Sequence, residues 1–144
     1  ERVSKVSLRN VILMPRLLRI KKYSLETTRQ HPDKVFIFGD NLQGTGSGWK
    51  AGQAVIRPAK NAYGIPTKKK PTMNRDAFMT DLEYESNVKA IDAAIAKIPK
   101  DRDLVMPLAG IGTGRALLKQ NAPKTWSYLQ QELRKLQKNY EQSY

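Results

Sequence analysis

Two glycine-rich stretches carry the residue types in this chain that could bind a phosphorylated ligand. The first, FIFGDNLQGTGSGWKAGQA, spans residues 36–54, and its apolar run stops at Gly39, Asp40 and Asn41. The second, AGIGTG, spans residues 109–114. Because glycine lacks a Cβ, backbone N–H groups in such loops can turn inward and approach phosphate oxygens closely. Two such loops on one crevice would suit a diphosphate, although glycine clusters also form ordinary tight turns.

Other nucleotide-binding and catalytic motifs are not matched. GxxxxGK[ST] is absent, which argues against a Walker-type NTPase. GTGSGW departs from GxGxxG because Trp49 stands at the third glycine, and no acidic residue ends a second strand at the distance that ribose binding needs. The chain has one histidine, His31, and no cysteine, so we expect no histidine triad, cysteine nucleophile, metal site or cofactor.

The elements that must position these loops alternate between strands and helices. The predicted strands are an edge strand at residues 6–14, with a turn following within residues 11–20, and strands at 34–38, 63–67 and 103–108. The predicted helices lie at residues 24–34 (ending before Pro32), 54–62 (ending at or before Pro58), 84–98 and from Pro123 onwards. This order predicts a single α/β domain over residues 1–144.

The two glycine stretches follow two of the predicted buried strands, 34–38 and 103–108. In α/β sheets, ligands bind at the carboxyl ends of the strands. Residues 39–53 and 109–115 should therefore converge on one crevice. A helix start behind each loop would add the positive end of a helix dipole.

Charge is the strongest feature of the composition. The chain of 144 residues has 26 Lys and Arg against 13 Asp and Glu, a net charge of +13. This excess indicates a polyanionic partner, nucleic acid or a phosphate-rich ligand, although it could serve solubility alone. No apolar run approaches the roughly 20 residues of a membrane helix. We expect a monomeric cytoplasmic protein with no membrane contact.

Several segments together resemble a macrodomain, an ADP-ribose-binding module. They are KVFIFGDN, the first glycine loop, NAYGIPTKKKPT, VMPLAGIGTG and APKTW, between about residues 34 and 133. The closer likeness is to terminal ADP-ribose glycohydrolases and DarG-type antitoxins, which remove ADP-ribose and share a Thr-Lys pair at a strand end and a PxxGxG loop. The resemblance implies a three-layer α/β/α fold with a central mixed sheet. Similar small phage proteins would place the chain in the host cytoplasm.

The resemblance also implies site residues. Asn41 would contact the distal ribose, or else be a turn residue at the strand end. Asp40 would either serve the site directly or brace the loop. Trp49, in an inserted Trp-Lys-Ala segment, would be buried or lie over the ligand. The residues expected to bind the ligand are Gly39, Asn41, Gly44, Gly46, Gly48, Lys50, Gly52, Gln53, Thr67, Gly110, Ile111, Gly112, Thr113, Gly114 and Arg115.

The catalytic residues that the resemblance implies are Lys68, Asn41 and Asp40. Lys68 matches a lysine that attacks the anomeric carbon of ribose, which requires a neutral amine. We expect Lys69 and Lys70 to lower the Lys68 pKa, since like charges disfavour the charged form. The alternative is a solvated lysine run that touches nucleic acid.

One position departs from the family pattern. Arg115 and Ala116 stand where the terminal glycohydrolases have an assisting aspartate. The acids left to position water are Asp40, Asp76 and Asp81. Three functions therefore remain: an ADP-ribosyl hydrolase acting on modified nucleic acid or protein, a module that only binds ADP-ribose, and a basic nucleic-acid-binding protein without catalysis.

Overall fold

Five strands form one sheet in the computed structural model, which describes residues 14–46 and 49–142 and gives only the backbone of Trp49 and Lys50. The strands are β1 (Arg16–Ile20), β2 (Val35–Asn41), β3 (Ala62–Lys68), β4 (Leu104–Pro107) and β5 (Glu141–Gln142). Their order is β3-β2-β4-β1-β5, and every neighbouring pair is parallel. The α/β class is confirmed. The expected mixed sheet is wrong for the described residues, because each connection returns the chain through helical segments to the same end of the sheet.

The described residues contain four α-helices, α1 (Leu25–Gln30), α2 (Tyr84–Ala96), α3 (Leu118–Asn121) and α4 (Pro123–Gln137). Side chains satisfy the first backbone N–H groups of α1 and α4. The Ser24 hydroxyl accepts from Thr27 N at 3.1 Å to cap α1. The Asp81 carboxylate accepts from Lys124 N and Thr125 N at 2.8 and 3.0 Å to cap α4, whose first residue is a proline. No helix within residues 14–46 and 49–142 is both long and apolar enough to cross a membrane.

Most predicted elements are found within a few residues of their expected bounds. Two differ. The helix predicted to start at residue 54 is a 3-10 helix, Trp49–Ile56, interrupted at Gly52, where φ is 59° and ψ is −126°. Of the predicted edge strand, residues 6–13 lie outside the described residues; the observed strand β1 begins after Pro15. Leu17 pairs with Leu104 of β4 on one side and with Gln142 of β5 on the other, and its side chain is fully buried. Burial, rather than an alternating sequence pattern, therefore determines where this strand forms.

Alternate residues of β2 belong to two apolar clusters. Val35 and Ile37 pack in one cluster with residues of α2 and α4, such as Ile91 and Leu129. Phe36 and Phe38 pack in the other with residues such as Tyr23 and Ile56. Because successive strand residues point to opposite faces, the sheet is covered on both sides.

The connections from β2 and β4 leave in opposite directions. β2 leads to β3 on one side of the sheet order, and neighbouring β4 leads to β5 beyond β1 on the other. Adjacent parallel strands whose connections diverge leave a crevice outside their carboxyl ends. The fold therefore opens a site at the ends of β2 and β4, where the two glycine loops follow.

Candidate functional site

A cavity of about 550 Å³ opens at the carboxyl ends of the central strands. Residues from both 39–53 and 109–115 line it, so the expected convergence of the two loops is observed. The predicted site residues among its lining are Gly39, Asp40, Asn41, Gly46, Gly52, Gln53, Thr67, Lys68, Gly112, Thr113, Gly114 and Arg115.

A few predicted site residues are placed elsewhere. Gly44 and Gly110 are not part of the lining, and Ile111 is fully buried in the larger apolar cluster. Gly48 and the side chains of Trp49 and Lys50 lie outside the described residues, so those predictions stand as made. The sequence pattern marks the glycine loops as a whole but does not show which of their residues face inward.

Neighbouring side chains come close to the backbone at two glycines of these loops, which favours glycine at both positions. Gly46 has a φ of 100°, and a Cβ there would lie 2.9 Å from the Cβ of Pro71, which also lines the cavity. Gly112 has a φ of 87°, and a Cβ would lie 3.1 Å from Leu129 Cδ2. Both positions combine a left-handed backbone, which disfavours other residues, with close neighbours at the place of a Cβ. The segments behind the loops are the 3-10 helices Trp49–Ile56 and Gly114–Ala116 rather than the α-helix starts expected.

The Asp40 carboxylate is bound by Arg57. Arg57 Nη2 donates to Asp40 Oδ1 at 2.6 Å and Nε donates to Oδ2 at 3.1 Å, with the two side chains 21% and 12% exposed. Arg57 Nη1 also donates to the Gly46 carbonyl, which ties the first glycine loop to β2. The geometry fits a bracing role for Asp40, one of its two sequence interpretations. Arg57 was missed, since an arginine before Pro58 gives no signal of a partner at residue 40.

Asn41 organises the turn that follows β2. Its Oδ1 accepts from Gln43 N at 3.0 Å, and its Nδ2 donates to the Thr45 carbonyl at 2.8 Å. These are the contacts of an Asx-type turn. The turn interpretation of Asn41 thus has observed contacts, and a ligand contact by the same residue stays a prediction.

Gln53 bridges the two glycine loops. Its Oε1 accepts from Gly39 N at 2.8 Å and its Nε2 donates to the Gly110 carbonyl at 2.7 Å. Both polar atoms of the amide are therefore used within the protein, so the side chain is a strut between the ends of β2 and β4. A side-chain amide offers both an acceptor and a donor, whereas an ionised carboxylate only accepts.

We expect Gln53→Glu to be destabilised in a pH-dependent way. A carboxylate still accepts from Gly39 but cannot donate to Gly110, so the unfolding free energy should fall by about 1–2 kcal/mol at pH 7. A protonated carboxyl restores the donor, so the deficit should shrink in acid and grow as the pH rises through about 4–5. Denaturant unfolding across this range measures it. Gln53→Met, the control, should show a deficit that does not vary with pH, and a pH-independent deficit in Gln53→Glu would contradict the strut.

The Lys68 ammonium lies at the cavity wall. Its Nζ donates to the Thr72 carbonyl at 2.6 Å, lies 3.6 Å from Met73 Sδ and sits 5.0 Å from the centroid of the Phe78 ring. Burial, and next the charge of Arg115 from the second glycine loop, lower the pKa of Lys68. This is the direction that favours a neutral amine.

The expectation that Lys69 and Lys70 lower this pKa is wrong. Lys69 Nζ pairs with Glu83 at 3.3 Å and Lys70 Nζ pairs with Asp76 at 2.7 Å. Both lysines follow the end of β3 in a bend, and each ammonium group is held by its own carboxylate. The cation that acts on Lys68 comes from a loop far away in sequence.

The other acids suggested for water positioning are engaged elsewhere. Asp76 pairs with Lys70, and Asp81 caps α4. Asp40 is therefore the one of the three that lines the cavity. His31 is exposed at the end of α1, and no group of three or more His, Asp or Glu within the described ranges could hold a metal ion.

The model of a family described as Family of unknown function (DUF7831) matches residues 18–132, which include every residue that lines the cavity. No curated protein and no solved structure shows significant similarity to the chain.

Proposed function

Because the chain belongs to DUF7831, a family of unknown function, we propose its function from the cavity itself. The cavity binds ADP-ribose, and the protein acts as an ADP-ribosyl hydrolase that releases this group from a modified macromolecule. The observation that carries the proposal is the pair of glycine loops at the ends of β2 and β4, joined by Gln53 across one cavity. Two backbone loops held at a fixed separation suit the two phosphates of a diphosphate.

Size and topology support a nucleotide-sized ligand. The cavity volume of about 550 Å³ falls within the range of small-molecule sites, about 300–1,000 Å³. The site lies where connections diverge in a parallel sheet, the usual position for nucleotides. The apolar clusters on both faces of the sheet support a three-layer, macrodomain-like arrangement of the whole domain.

Lys68 is the nucleophile in this proposal. Its neutral amine forms a C–N bond to the anomeric carbon of the distal ribose, as the bond from that carbon to the carrier breaks and the carrier atom takes a proton. Water then hydrolyses the adduct, which frees the lysine and ADP-ribose. The lowered pKa of Lys68 and its place in the cavity wall support this role.

Binding without turnover is the second candidate, and two observations favour it. Lys68 Nζ is held by the Thr72 carbonyl, so attack requires this contact to break. Arg115 and Ala116 stand where the resembling glycohydrolases have an assisting aspartate, and the Asp40 carboxylate is occupied by Arg57. In this case the same loops would recognise ADP-ribose and leave it intact.

Free ADP-ribose should bind saturably and raise the melting temperature. At a concentration 100 times Kd, the added stability should be about 2.7 kcal/mol. Calorimetric titration at moderate salt gives Kd, with inorganic diphosphate and AMP as comparison ligands that each fill half of the site. Absence of saturable ADP-ribose binding would refute the proposal.

Turnover assays separate the two candidates. The wild-type protein is incubated with ADP-ribosylated DNA and, separately, with ADP-ribosylated protein, and released ADP-ribose is measured. Release from either substrate supports the hydrolase. Saturable binding with no release from either leaves the binding module.

A further inference from the structure

Carboxylates are absent from both chain segments that build the cavity. No Asp or Glu occurs between Asp40 and Asp76 or between Asp103 and Glu132. The first of these segments carries seven Lys and Arg and the second carries three. The one carboxylate in the cavity lining, Asp40, is paired with Arg57. Lys69 and Lys70 of the first segment pair with Glu83 and Asp76, which lie outside it, but cations still outnumber carboxylates around this end of the sheet.

Three cations of the second segment are exposed and follow one another along the chain from the cavity. Arg115 lines the cavity, Lys119 lies in α3, and Lys124 lies in the first turn of α4. We call these three residues the cationic rim.

Aromatic rings rather than carboxylates contact the lysines of the rim. Lys119 Nζ lies 4.9 Å from the centroid of the Trp126 ring, and Lys124 Nζ lies 6.0 Å from that of Tyr84. Neither forms an ion pair with a carboxylate of the described residues. Asp81, which accepts from Lys124 N, offsets part of that charge. The rings orient the ammonium groups without neutralising them.

We propose that the cationic rim is a docking surface for a nucleic-acid strand. Phosphates spaced along a polymer can neutralise several of these cations at once and release counterions, which an isolated acidic side chain cannot do. Half-buried Trp126 and Tyr84 beside the cations provide the mixture of positive charge and aromatic surface that single-stranded nucleic acids bind. Together with the proposed function, on which this step rests, the rim makes nucleic acid the carrier of the ADP-ribose group.

The test is the affinity for a short, unmodified, fluorescein-labelled single-stranded DNA, measured by anisotropy at several salt concentrations. The double variant Lys119→Glu/Lys124→Glu should weaken binding at least about tenfold at low salt and reduce the slope of log K against log salt. Lys119→Gln/Lys124→Gln, which removes charge without reversing it, should shift both in the same direction by less. Melting temperatures show whether the variants are folded.

Lys97→Glu/Lys138→Glu is the matched control. It makes the same change in net charge at two exposed lysines, which follow the ends of α2 and α4. The 15 residues of α4 place Lys138 about 20 Å from Lys124, towards the other end of the sheet. This control should change the DNA affinity less than about threefold, because it alters only the net charge of the protein and not the charge at the rim. Equal losses in both double variants, or displacement of the DNA by polyglutamate as readily as by unlabelled DNA, would overturn the rim.

Titration with free ADP-ribose separates this inference from the proposed function. The rim variants should bind free ADP-ribose as the wild type does, because Lys119 and Lys124 do not line the cavity. Rim-dependent DNA binding without ADP-ribose binding would sustain the docking surface and refute the proposed function. ADP-ribose binding together with an unchanged DNA affinity in the rim variants would support the proposed function and refute the docking surface.

Discussion

Lys68→Met is expected to lower the rate of ADP-ribose release by about a thousandfold or more, the scale on which removal of a nucleophile acts. Methionine keeps most of the side-chain volume but cannot attack the anomeric carbon. The affinity for free ADP-ribose should stay within about threefold, since the glycine loops are untouched. Single-turnover release and calorimetric titration measure the two effects separately.

Lys69→Met is the matched control for this variant. Lys69 is adjacent in sequence, but it pairs with Glu83 and is not part of the cavity lining. Its loss should leave the release rate within about threefold, the effect of a partly exposed ion pair. If Lys68→Met releases ADP-ribose as fast as the wild type, the lysine is not the nucleophile.

The pH dependence of release follows from the same assignment. Attack needs the neutral amine, so the rate should rise with pH and level off at the Lys68 pKa, which burial and Arg115 lower below its ordinary value. Arg115→Gln removes the second of these causes, and it should move the inflection to higher pH. A profile that does not shift in Arg115→Gln would contradict the influence of Arg115 on Lys68.

Asp40→Ala is expected to be the most destabilising of the proposed site variants. It leaves the Arg57 guanidinium without its partner at a largely buried position, which should cost about 2–3 kcal/mol of unfolding free energy. For a domain of this size the melting temperature should fall by roughly 3 °C per kcal/mol. Denaturant unfolding checks the value.

A double-mutant cycle isolates the ion pair. Asp40→Ala, Arg57→Ala and the double variant should show a coupling energy of about 1–3 kcal/mol. Strictly additive losses would show that the pair does not brace the loop.

Release rates distinguish bracing from chemistry at Asp40. If Asp40 only holds Arg57 and the loop at Gly46, both single variants should lose ADP-ribose affinity to a similar extent. A release rate that falls much further in Asp40→Ala than in Arg57→Ala would instead give the carboxylate a direct part in the reaction.

Local patterns were sufficient for most of the elements. The continuous apolar run at residues 34–38 was expected to be a central strand, and β2 pairs on both sides. The proline at residue 123 starts α4 as expected. The convergence of the glycine loops could also be predicted, because parallel strands place their carboxyl ends at one edge of the sheet. These features depend on properties of single segments or on a general rule of sheet topology.

The bounds of β1 and the type of the helix before β3 were not predictable. The region around Pro15 was interpreted as a turn after a strand, but β1 begins at Arg16 because Leu17 is buried beside β4. The helix expected from residue 54 became a kinked 3-10 segment from Trp49, since Gly52 takes a positive φ. The first outcome follows from how the strand packs, which overrides local preference, and the second from a backbone conformation that glycine adopts readily.

The sequence by itself determined that glycine loops follow two buried strands and that their flanking segments lack carboxylates. Only the tertiary structure decided which side chains meet. Arg57 finds Asp40, Gln53 spans Gly39 and Gly110, and Arg115 rather than Lys69 acts on Lys68. The physical reason is that composition and periodicity determine the local structure of each segment separately. A hydrogen bond or ion pair depends on a few ångströms between groups that the sheet brings together from distant parts of the chain.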